Sequence, residues 1–389
     1  MERTSDASAH TIVAGIMAAL VGFTSSFAVV LSGLRAAGAS PAEAASGLLA
    51  VTVTMAVATL LLSRHYRMPL LIAWSTPGAA LLASTGTVDG GWPAAIGAFL
   101  ICGGLIMATG IWPRLGALIT SIPTPIAQAM LAGIVLQLCL TPVRELVAHP
   151  WQIAPILLVW LVVLRLAPKW AIPAAFVAAL AVIGVDAARG GGVHGDLLPQ
   201  LQWTTPHLTW AGVLSLALPL YVVTMAGQNV PGTAILASYG YRVPWRSAMV
   251  VTGAGTALGA GAGGHAINLA AISATLVIAP EVDPDPRRRW TAAMSAGWAY
   301  LVLALLSTAL ATLVSAAPAD VAGAVAGLAL LGALGSALSG ATSAEHGRDA
   351  AAITFVVAAS GVSFFAIGAA FWALLAGVGT YLVTRRPQA

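Results

Sequence analysis

The chain has 389 residues, of which 59% are hydrophobic and only 8% are charged. A soluble domain carries roughly 25% charged residues, so 17 Lys and Arg with 13 Asp and Glu cannot cover the surface of a water-soluble protein of this length. The composition therefore excludes a soluble protein and indicates an integral membrane protein. Its long apolar runs favour membrane-spanning helices over the short alternating segments of a barrel.

Twelve runs are free of Asp, Glu, Lys and Arg: 7–34, 44–63, 68–88, 90–113, 115–143, 146–164, 170–185, 197–241, 247–280, 290–319, 321–344 and 350–384. One crossing needs about 20 residues. Two runs contain internal breakers. Six glycines in 253–264 predict that one span ends near Leu258 and that another begins near His265. Residues 360–363 divide the last run, so the sequence predicts fourteen spans.

The basic residues give an independent test of this count, because cytoplasmic loops collect Lys and Arg. With fourteen spans and a cytoplasmic N-terminus, only Arg35, Arg144 and Arg189 of the 17 basic residues fall on the outer side. The basic excess thus encodes topology and disfavours nucleic-acid binding. We expect a multi-pass protein in the lipid bilayer of a bacterial-type plasma (inner) membrane, with both termini in the cytoplasm.

Polar residues inside the predicted spans point to a binding site. All thirteen acids lie in loops or at helix ends, and His265 is the one histidine placed in a span. Uncharged polar residues beside Pro or Gly form three clusters: Ser75 and Thr76 before Pro77 and Gly78, Gln228 and Asn229 before Pro231 and Gly232, and His265 with Ala266 and Asn268 after the glycines. Such clusters indicate discontinuous helices. The alternative for each is a kinked helix bonded across the bundle.

These clusters favour an anionic small-molecule substrate. Helices that restart in mid-membrane offer free N–H groups and about half a positive charge each, and no acid is present to neutralise a cation. Phe23, Phe27, Trp74 and Tyr221 are candidate contacts for an aromatic body, although core packing is preferred for at least half of them. For His265, a substrate or proton role and a neutral buried ring bonded to a backbone carbonyl are equally open.

Fourteen spans divide into two sets of seven, and an odd number per set makes the second half enter the membrane from the opposite side. Residues 74–80 and 264–270 place small and polar residues at the same ordinal position of each half. The sequence therefore predicts an inverted repeat.

Several stretches together resemble one family of transporters: WSTPGAALL at 74–82, LPLYVVTMA at 218–226 with QNVPG at 228–232, NLAAI at 268–272, 280–290, 359–362 and Phe371 with Trp372. The chain resembles the benzoate/proton symporter (BenE) family over nearly its whole length. That family is similar to uracil and ascorbate carriers and to sulfate-type anion transporters. The resemblance implies an all-α polytopic membrane protein of 14 transmembrane segments in a 7+7 inverted repeat of the uracil-transporter type, with broken helices 3 and 10.

The resemblance also implies a division into a core domain and a gate domain. The first repeat would be 1–190, with core helices in 10–120 and gate helices in 121–187. The second would be 208–389, with core helices in 208–315 and gate helices in 320–385. A homodimer is compatible with this fold, and no metal or cofactor is expected.

The function implied by the resemblance is secondary active import of benzoate or a similar aromatic carboxylate with a proton, by an elevator-like alternating-access mechanism. One departure concerns proton coupling. Uracil-type carriers have glutamates where this chain has Gln228 and Ile267, so the proton would travel on His265 or on the substrate as its acid form. The first alternative is an exchanger or channel for inorganic or other organic anions on the same fold. A distant one is an intramembrane enzyme, which would need a nucleophile and a base that the spans lack.

Overall fold

The computed structural model describes residues 2–190, 192, 197–315, 321–343 and 347–384, which are almost entirely helical. The first half contains α1 (Glu2–Ala36), α2 (Pro41–Tyr66), β1 (Ile72–Trp74), α3 (Thr76–Thr85), α4 (Gly91–Ile111), α5 (Pro113–Thr120), α6 (Thr124–Ala148), α7 (Pro150–Leu166) and α8 (Ala171–Gly190). The second half contains α9 (Trp210–Ser238), α10 (Trp245–Ala260), β2 (Ile267–Leu269), α11 (Thr275–Ile278), α12 (Trp290–Ser315), α13 (Val321–Thr342), α14 (Arg348–Ser360) and α15 (Ala369–Thr384).

Eight helices within these described ranges are long and apolar enough to cross a membrane: α1, α2, α4, α6, α8, α9, α12 and α13. The other six predicted spans coincide with shorter elements, namely β1 with α3, α7, α10, β2 with α11, α14 and α15. The chain is thus a multi-pass membrane protein. Fourteen full crossings stay a prediction.

The breaks fall where the sequence contains glycine. Helix α10 ends at Ala260 inside the glycine run, and the chain next becomes extended at Ile267. Helix α14 ends at Ser360, and Gly361 follows with a φ of 64°, a left-handed conformation that glycine adopts without strain. Helix α9 is continuous but contains two π-helical turns, Val213–Ala217 and Met225–Asn229.

Helix packing is reciprocal between the two halves. Helix α2 packs on α12, α4 packs on α10, and α6 packs on α13. Suppose that α2 of the first half corresponds to α10 of the second, and that α4 corresponds to α12. The contact of α2 with α12 then corresponds to the contact of α10 with α4. A Cβ at Gly253 of α10 would lie 2.5 Å from the Met107 nitrogen of α4, so this contact requires glycine. The pattern is the one that a pseudo-twofold axis between two halves would produce.

The apolar core lies between these helices, whereas the outer faces remain apolar as well. Phe23 and Phe27 of α1, Phe99 of α4 and Tyr300 of α12 are each less than 2% exposed. Large apolar side chains also point outward, including Trp151, which is 90% exposed. Apolar residues both inside and outside are expected of a bundle that is surrounded by lipid.

Candidate functional site

Two extended segments meet at the centre of the bundle. Strand β1 pairs antiparallel with β2, with Ile72 opposite Leu269 and Trp74 opposite Ile267. Two further backbone bonds lengthen this ribbon: Ser75 N–H donates to the Ala266 carbonyl at 2.8 Å, and Ala270 N–H donates to the Leu71 carbonyl at 2.9 Å. The pairing satisfies backbone groups that lipid could not satisfy.

Each strand is also held by a threonine from a neighbouring helix of its own half. The Thr59 hydroxyl of α2 accepts the Ile72 N–H at 3.0 Å, and the Thr256 hydroxyl of α10 accepts the Ile267 N–H at 3.0 Å. Ile72 and Ile267 are the first residues of their strands. The same anchor therefore occurs once in each half, at equivalent positions.

Helix α3 begins directly after β1 with a serine cap. The Ser75 hydroxyl accepts the Gly78 N–H at 3.1 Å and shares a 2.8 Å hydrogen bond with the Thr224 hydroxyl of α9. The next residue, Thr76, donates its hydroxyl to Ser26 of α1 at 3.0 Å. Pro77 has no N–H, and a Cβ at Gly78 would lie 2.4 Å from the Leu220 side chain. Of the first-turn donors, the Thr76 N–H makes no hydrogen bond within the part of the chain that the structure describes.

A cavity of about 600 Å³ opens beside this helix start. Its volume lies within the range of roughly 300–1,000 Å³ that is usual for ligand pockets. One wall belongs to the predicted core helices and includes Ser25, Ser26, Trp74, Thr76, Pro77, Gln228 and Tyr300. The facing wall belongs to the predicted gate helices and includes Leu131, Val135, Trp160, Leu164, Lys169 and Leu328.

Gln228 lies in the second π-helical turn of α9 and lines the cavity. Its amide makes no side-chain hydrogen bond within the described residues, whereas the neighbouring Asn229 is fully committed to structure. The Asn229 oxygen accepts the Leu269 N–H at 2.9 Å, and its amide nitrogen contacts the Met225 sulfur at 3.2 Å. π-Helical turns are frequent at functional sites. In this turn the two adjacent amides have different roles, since Gln228 lines the cavity and Asn229 bonds to β2.

The structure brings three of the polar-cluster residues, Thr76, Pro77 and Gln228, to the cavity wall together with Trp74. It places the others away from that wall. Ser75 and Asn229 bond within the protein, Gly78 packs on Leu220, and Ala266 is buried in the ribbon. The Asn268 amide nitrogen donates to the Leu269 carbonyl at 2.8 Å, and the amide oxygen has no partner in the described ranges. Substrate contact by these residues stays a prediction.

His265 and the aromatic candidates are also packed inside the protein. His265 is 1% exposed, and neither ring nitrogen has a hydrogen-bond partner among the described residues. Its ring centroid lies 6.5 Å from that of Phe99. Phe23 packs against Trp74 and Phe27 with ring centroids 5.3 and 5.4 Å apart. The Tyr221 hydroxyl bonds to the Thr109 hydroxyl.

The charges around the cavity are few and of one sign. Of the described residues that line it, none is Asp or Glu, and Lys169 is the one with a formal charge. Lys169 is exposed and lies in the short turn Pro168–Trp170 between α7 and α8. A cationic side chain at an otherwise uncharged cavity raises the local concentration of anions.

Sequence reasoning missed several residues of this cavity. Lys169 was counted only as a topology marker, because a basic residue in a short loop has that ordinary explanation. Ser25 and Ser26 gave a signal, as two adjacent hydroxyls inside an apolar span, but no proline or glycine follows them. Trp160 and Tyr300 carry no signal that separates a cavity wall from packing or the membrane interface.

Comparisons with known proteins agree on one family. The profile of the family described as "Benzoate membrane transport protein" (BenE) matches residues 5–383. The chain is 39% identical to the inner membrane protein YdcO of Escherichia coli strain K12, covering 96% of this chain and 95% of that protein. It is 29% identical to the benzoate membrane transport protein of Acinetobacter baylyi, covering 99% and 97%.

Solved structures share the fold at low identity. The transmembrane domain of a cyanobacterium bicarbonate transporter, BicA, superposes with a TM-score of 0.63 at 16% identity, covering 95% of this chain and 97% of that one. The structure of SLC26A9 superposes with a TM-score of 0.64 at 12% identity, covering 96% and 65%. These likenesses confirm an all-α polytopic membrane protein of the uracil-transporter type of fold. The fourteen spans and the breaks in spans 3 and 10 stay predictions.

Proposed function

Because the chain belongs to the benzoate membrane transport protein (BenE) family, we propose that it imports benzoate or a similar aromatic carboxylate together with a proton. Members of this family are membrane transport proteins and not enzymes, which removes the intramembrane enzyme from consideration. The observation that carries the proposal is the cavity of about 600 Å³ between the predicted core and gate helices, with aromatic walls, uncharged polar groups and no acid.

The aromatic ring of the substrate would occupy the apolar part of the cavity. Trp160 offers a partly exposed ring on one wall, and the largely buried Trp74 and Tyr300 border the other wall. Leu131, Val135 and Leu328 complete the apolar lining. Aromatic pairs gain about 0.5–1.5 kcal/mol beyond the burial of their area. A small hydrated ion gains nothing from these walls, which is the reason to favour an aromatic carboxylate.

The carboxylate would sit at the start of α3. Among the described residues the Thr76 N–H makes no hydrogen bond, the Thr76 hydroxyl lies 3.0 Å from that of Ser26, and Gln228 can donate from α9. The partial positive charge of the helix N-terminus adds to these donors. Lys169 on the facing wall would attract the anion and contact it when the gate approaches.

Proton movement is the finer part of the proposal. No carboxylate lines the cavity, so a protein carboxylate there cannot carry the proton. The substrate would cross as its neutral acid, or His265 would hold the proton outside the cavity. Replacing His265 with Gln separates these routes, because only the second predicts that benzoate uptake loses its dependence on a proton gradient.

An elevator-like motion would expose the cavity alternately to the two sides. Its support is the division of the lining, with Thr76 and Gln228 on helices that pack around the ribbon and Trp160 and Lys169 on α7 and the following turn. The basic residues support an orientation with both termini in the cytoplasm of a cell with an inner membrane.

Uptake into proteoliposomes tests the proposal. We expect labelled benzoate to accumulate when the outside is acidic, and excess sulfate, chloride or bicarbonate to leave the rate unchanged. The competing function is an inorganic anion exchanger, which the fold shared with BicA favours. Competition by bicarbonate with no response to the proton gradient would establish that function in place of ours.

A further inference from the structure

A second opening, which shares no lining residue with the cavity, lies between the last turn of α2 and the second turn of α12. It is an open groove of about 700 Å³, and Leu60, Leu61 and Met294 form its apolar part. Arg64, His65 and Arg67 form its polar end, with Trp298 along one side. The two helices meet closely at its floor, because a Cβ at Gly297 would lie 2.8 Å from the Leu60 side chain. We call it the α2–α12 groove.

The polar end of the groove holds positive charge without a counter-charge. Arg64 and Arg67 are exposed, and neither guanidinium makes an ion pair or side-chain hydrogen bond within the part of the chain that the structure describes. No acid lines the groove. Arg67 adopts a φ of 49°, a left-handed conformation in which glycine would be unstrained. The left-handed conformation of Arg67 ends α2, and the guanidinium groups of Arg64 and Arg67 both lie at the polar end of the groove.

The groove changes from polar to apolar along the direction of the helices. Arg64 lies in the last turn of α2, and Leu60 and Leu61 lie one turn further into the predicted membrane span. Trp298 is 61% exposed and Leu61 is 58% exposed. Exposed apolar residues are ordinary on a lipid-facing surface. Their continuity with two unpaired guanidinium groups is what distinguishes this place.

We propose that the α2–α12 groove binds an anionic phospholipid. The headgroup phosphate would accept hydrogen bonds from Arg64 and Arg67, since guanidinium groups match phosphate oxygens in a bidentate manner. An acyl chain would lie along Leu60, Leu61 and Trp298. Met294 would lie closer to the headgroup, because it is one turn nearer than Trp298 to the start of α12 at Trp290. Basic pockets between spanning helices are known to take such headgroups.

The groove lies beside the anchor of the substrate site. On α2, the Thr59 hydroxyl holds Ile72, and the Ser63 hydroxyl donates to the Leu70 carbonyl at 3.1 Å. Both residues immediately precede groove residues in the chain. A lipid bound between α2 and α12 would therefore stabilise this helix pair, whose α2 forms the hydrogen bonds that hold β1 and the residues just before it. This inference does not depend on which substrate the cavity takes.

Native mass spectrometry of the purified full chain provides the test. Phosphatidylglycerol is compared with phosphatidylcholine of identical acyl chains, and we expect a preference of about thirtyfold for the anionic lipid, from two basic residues. Arg64→Gln with Arg67→Gln should abolish the preference. Arg242→Gln with Arg246→Gln removes the same charge from another helix junction outside the groove and should preserve it. If both double variants retain the preference for phosphatidylglycerol to the same degree, the proposal is wrong.

Two further measurements keep the proposal testable if the double variant folds poorly. Dibrominated phosphatidylglycerol should quench tryptophan fluorescence more than dibrominated phosphatidylcholine, and Trp298→Phe should remove that difference. Inorganic phosphate separates a lipid site from a phosphate site. If phosphate alone raises the melting temperature as much as phosphatidylglycerol does, or if Trp298→Phe leaves the quenching difference intact, the lipid assignment is wrong.

Discussion

The two broken segments of the molecule begin alike and end differently. The first broken segment, 72–85, and the second, 267–278, both start with a strand whose first N–H is held by a threonine. The first continues into a ten-residue helix, whereas the second continues through a 3-10 turn into a four-residue helix. Thr76 of the first lines the cavity, and Asn268 of the second is fully buried.

The difference separates two uses of polar groups in mid-membrane. Around the second segment, Asn229 and Thr256 satisfy backbone donors of β2, so their role is to hold the ribbon. Around the first, Thr76 and the neighbouring Gln228 face open volume. Both segments line the cavity, because Ala270, Ala271, Ser273, Thr275 and Leu276 of the second segment border it as well. The binding and supporting roles are therefore divided between individual polar residues and not between the two segments.

The largest expected effect is on stability, from Asn229→Ala. The buried Leu269 N–H loses its acceptor, and an unsatisfied buried group costs about 2–3 kcal/mol of unfolding free energy. The melting temperature in detergent should fall clearly. Gln228→Ala, one residue away, is the matched control and should leave the melting temperature within error, because the Gln228 amide has no intramolecular partner to lose. Equal melting temperatures for the two variants would erase the distinction between supporting and binding amides.

The two threonine anchors test the symmetric part of the comparison. Thr59→Val and Thr256→Val keep the side-chain shape but orphan the N–H of Ile72 or Ile267, so each should cost about 2 kcal/mol. Thr252→Val is the control, since that hydroxyl bonds only within its own helix. Thermal denaturation should rank the two anchors together and the control well below them. A loss confined to one anchor would contradict their equivalence.

Thr76→Val tests the binding part. It removes a hydroxyl at the cavity wall while keeping the shape of the side chain, and we expect benzoate affinity to fall about tenfold. The melting temperature should fall less than in Asn229→Ala, because the part-buried hydrogen bond from Thr76 to Ser26 is lost but no buried backbone group is left unpaired. The Kd is measured by ligand-induced thermal shift or calorimetry. Thr54→Val on α2, whose hydroxyl bonds to its own helix, should retain wild-type affinity. Unchanged affinity in Thr76→Val would move the site elsewhere.

The smallest expected effect concerns Lys169. Its ammonium is exposed, so solvent and salt screen it, and Lys169→Gln should raise the KM for benzoate about threefold at low ionic strength and less at high salt. Lys169→Arg keeps the charge and should restore the KM. A KM that is unaffected by Lys169→Gln at low salt would show that the cation takes no part in anion capture.

The sequence predicted the architecture well because its signals are local. Long uncharged runs identify spans, and the glycines of 253–264 lie where α10 gives way to β2. It predicted the site only in part. Gly47 of α2 and Gly263 approach closely, with a Cβ at Gly47 only 2.6 Å from the Gly263 oxygen. This contact joins residues that are far apart in the sequence and lies next to His265. No periodic pattern in the sequence predicts it.

Solute-driven proton movement tests the central claim most directly. Benzoate is added outside proteoliposomes that contain a pH-sensitive dye. Protein-free liposomes receive the same addition and correct for the passive entry of benzoic acid. We predict that the interior acidifies faster with the wild-type chain than with Gln228→Ala. Sulfate or bicarbonate gradients should not produce this acidification. Equal acidification by wild type, Gln228→Ala and protein-free liposomes would contradict proton-coupled transport of an aromatic carboxylate through this cavity.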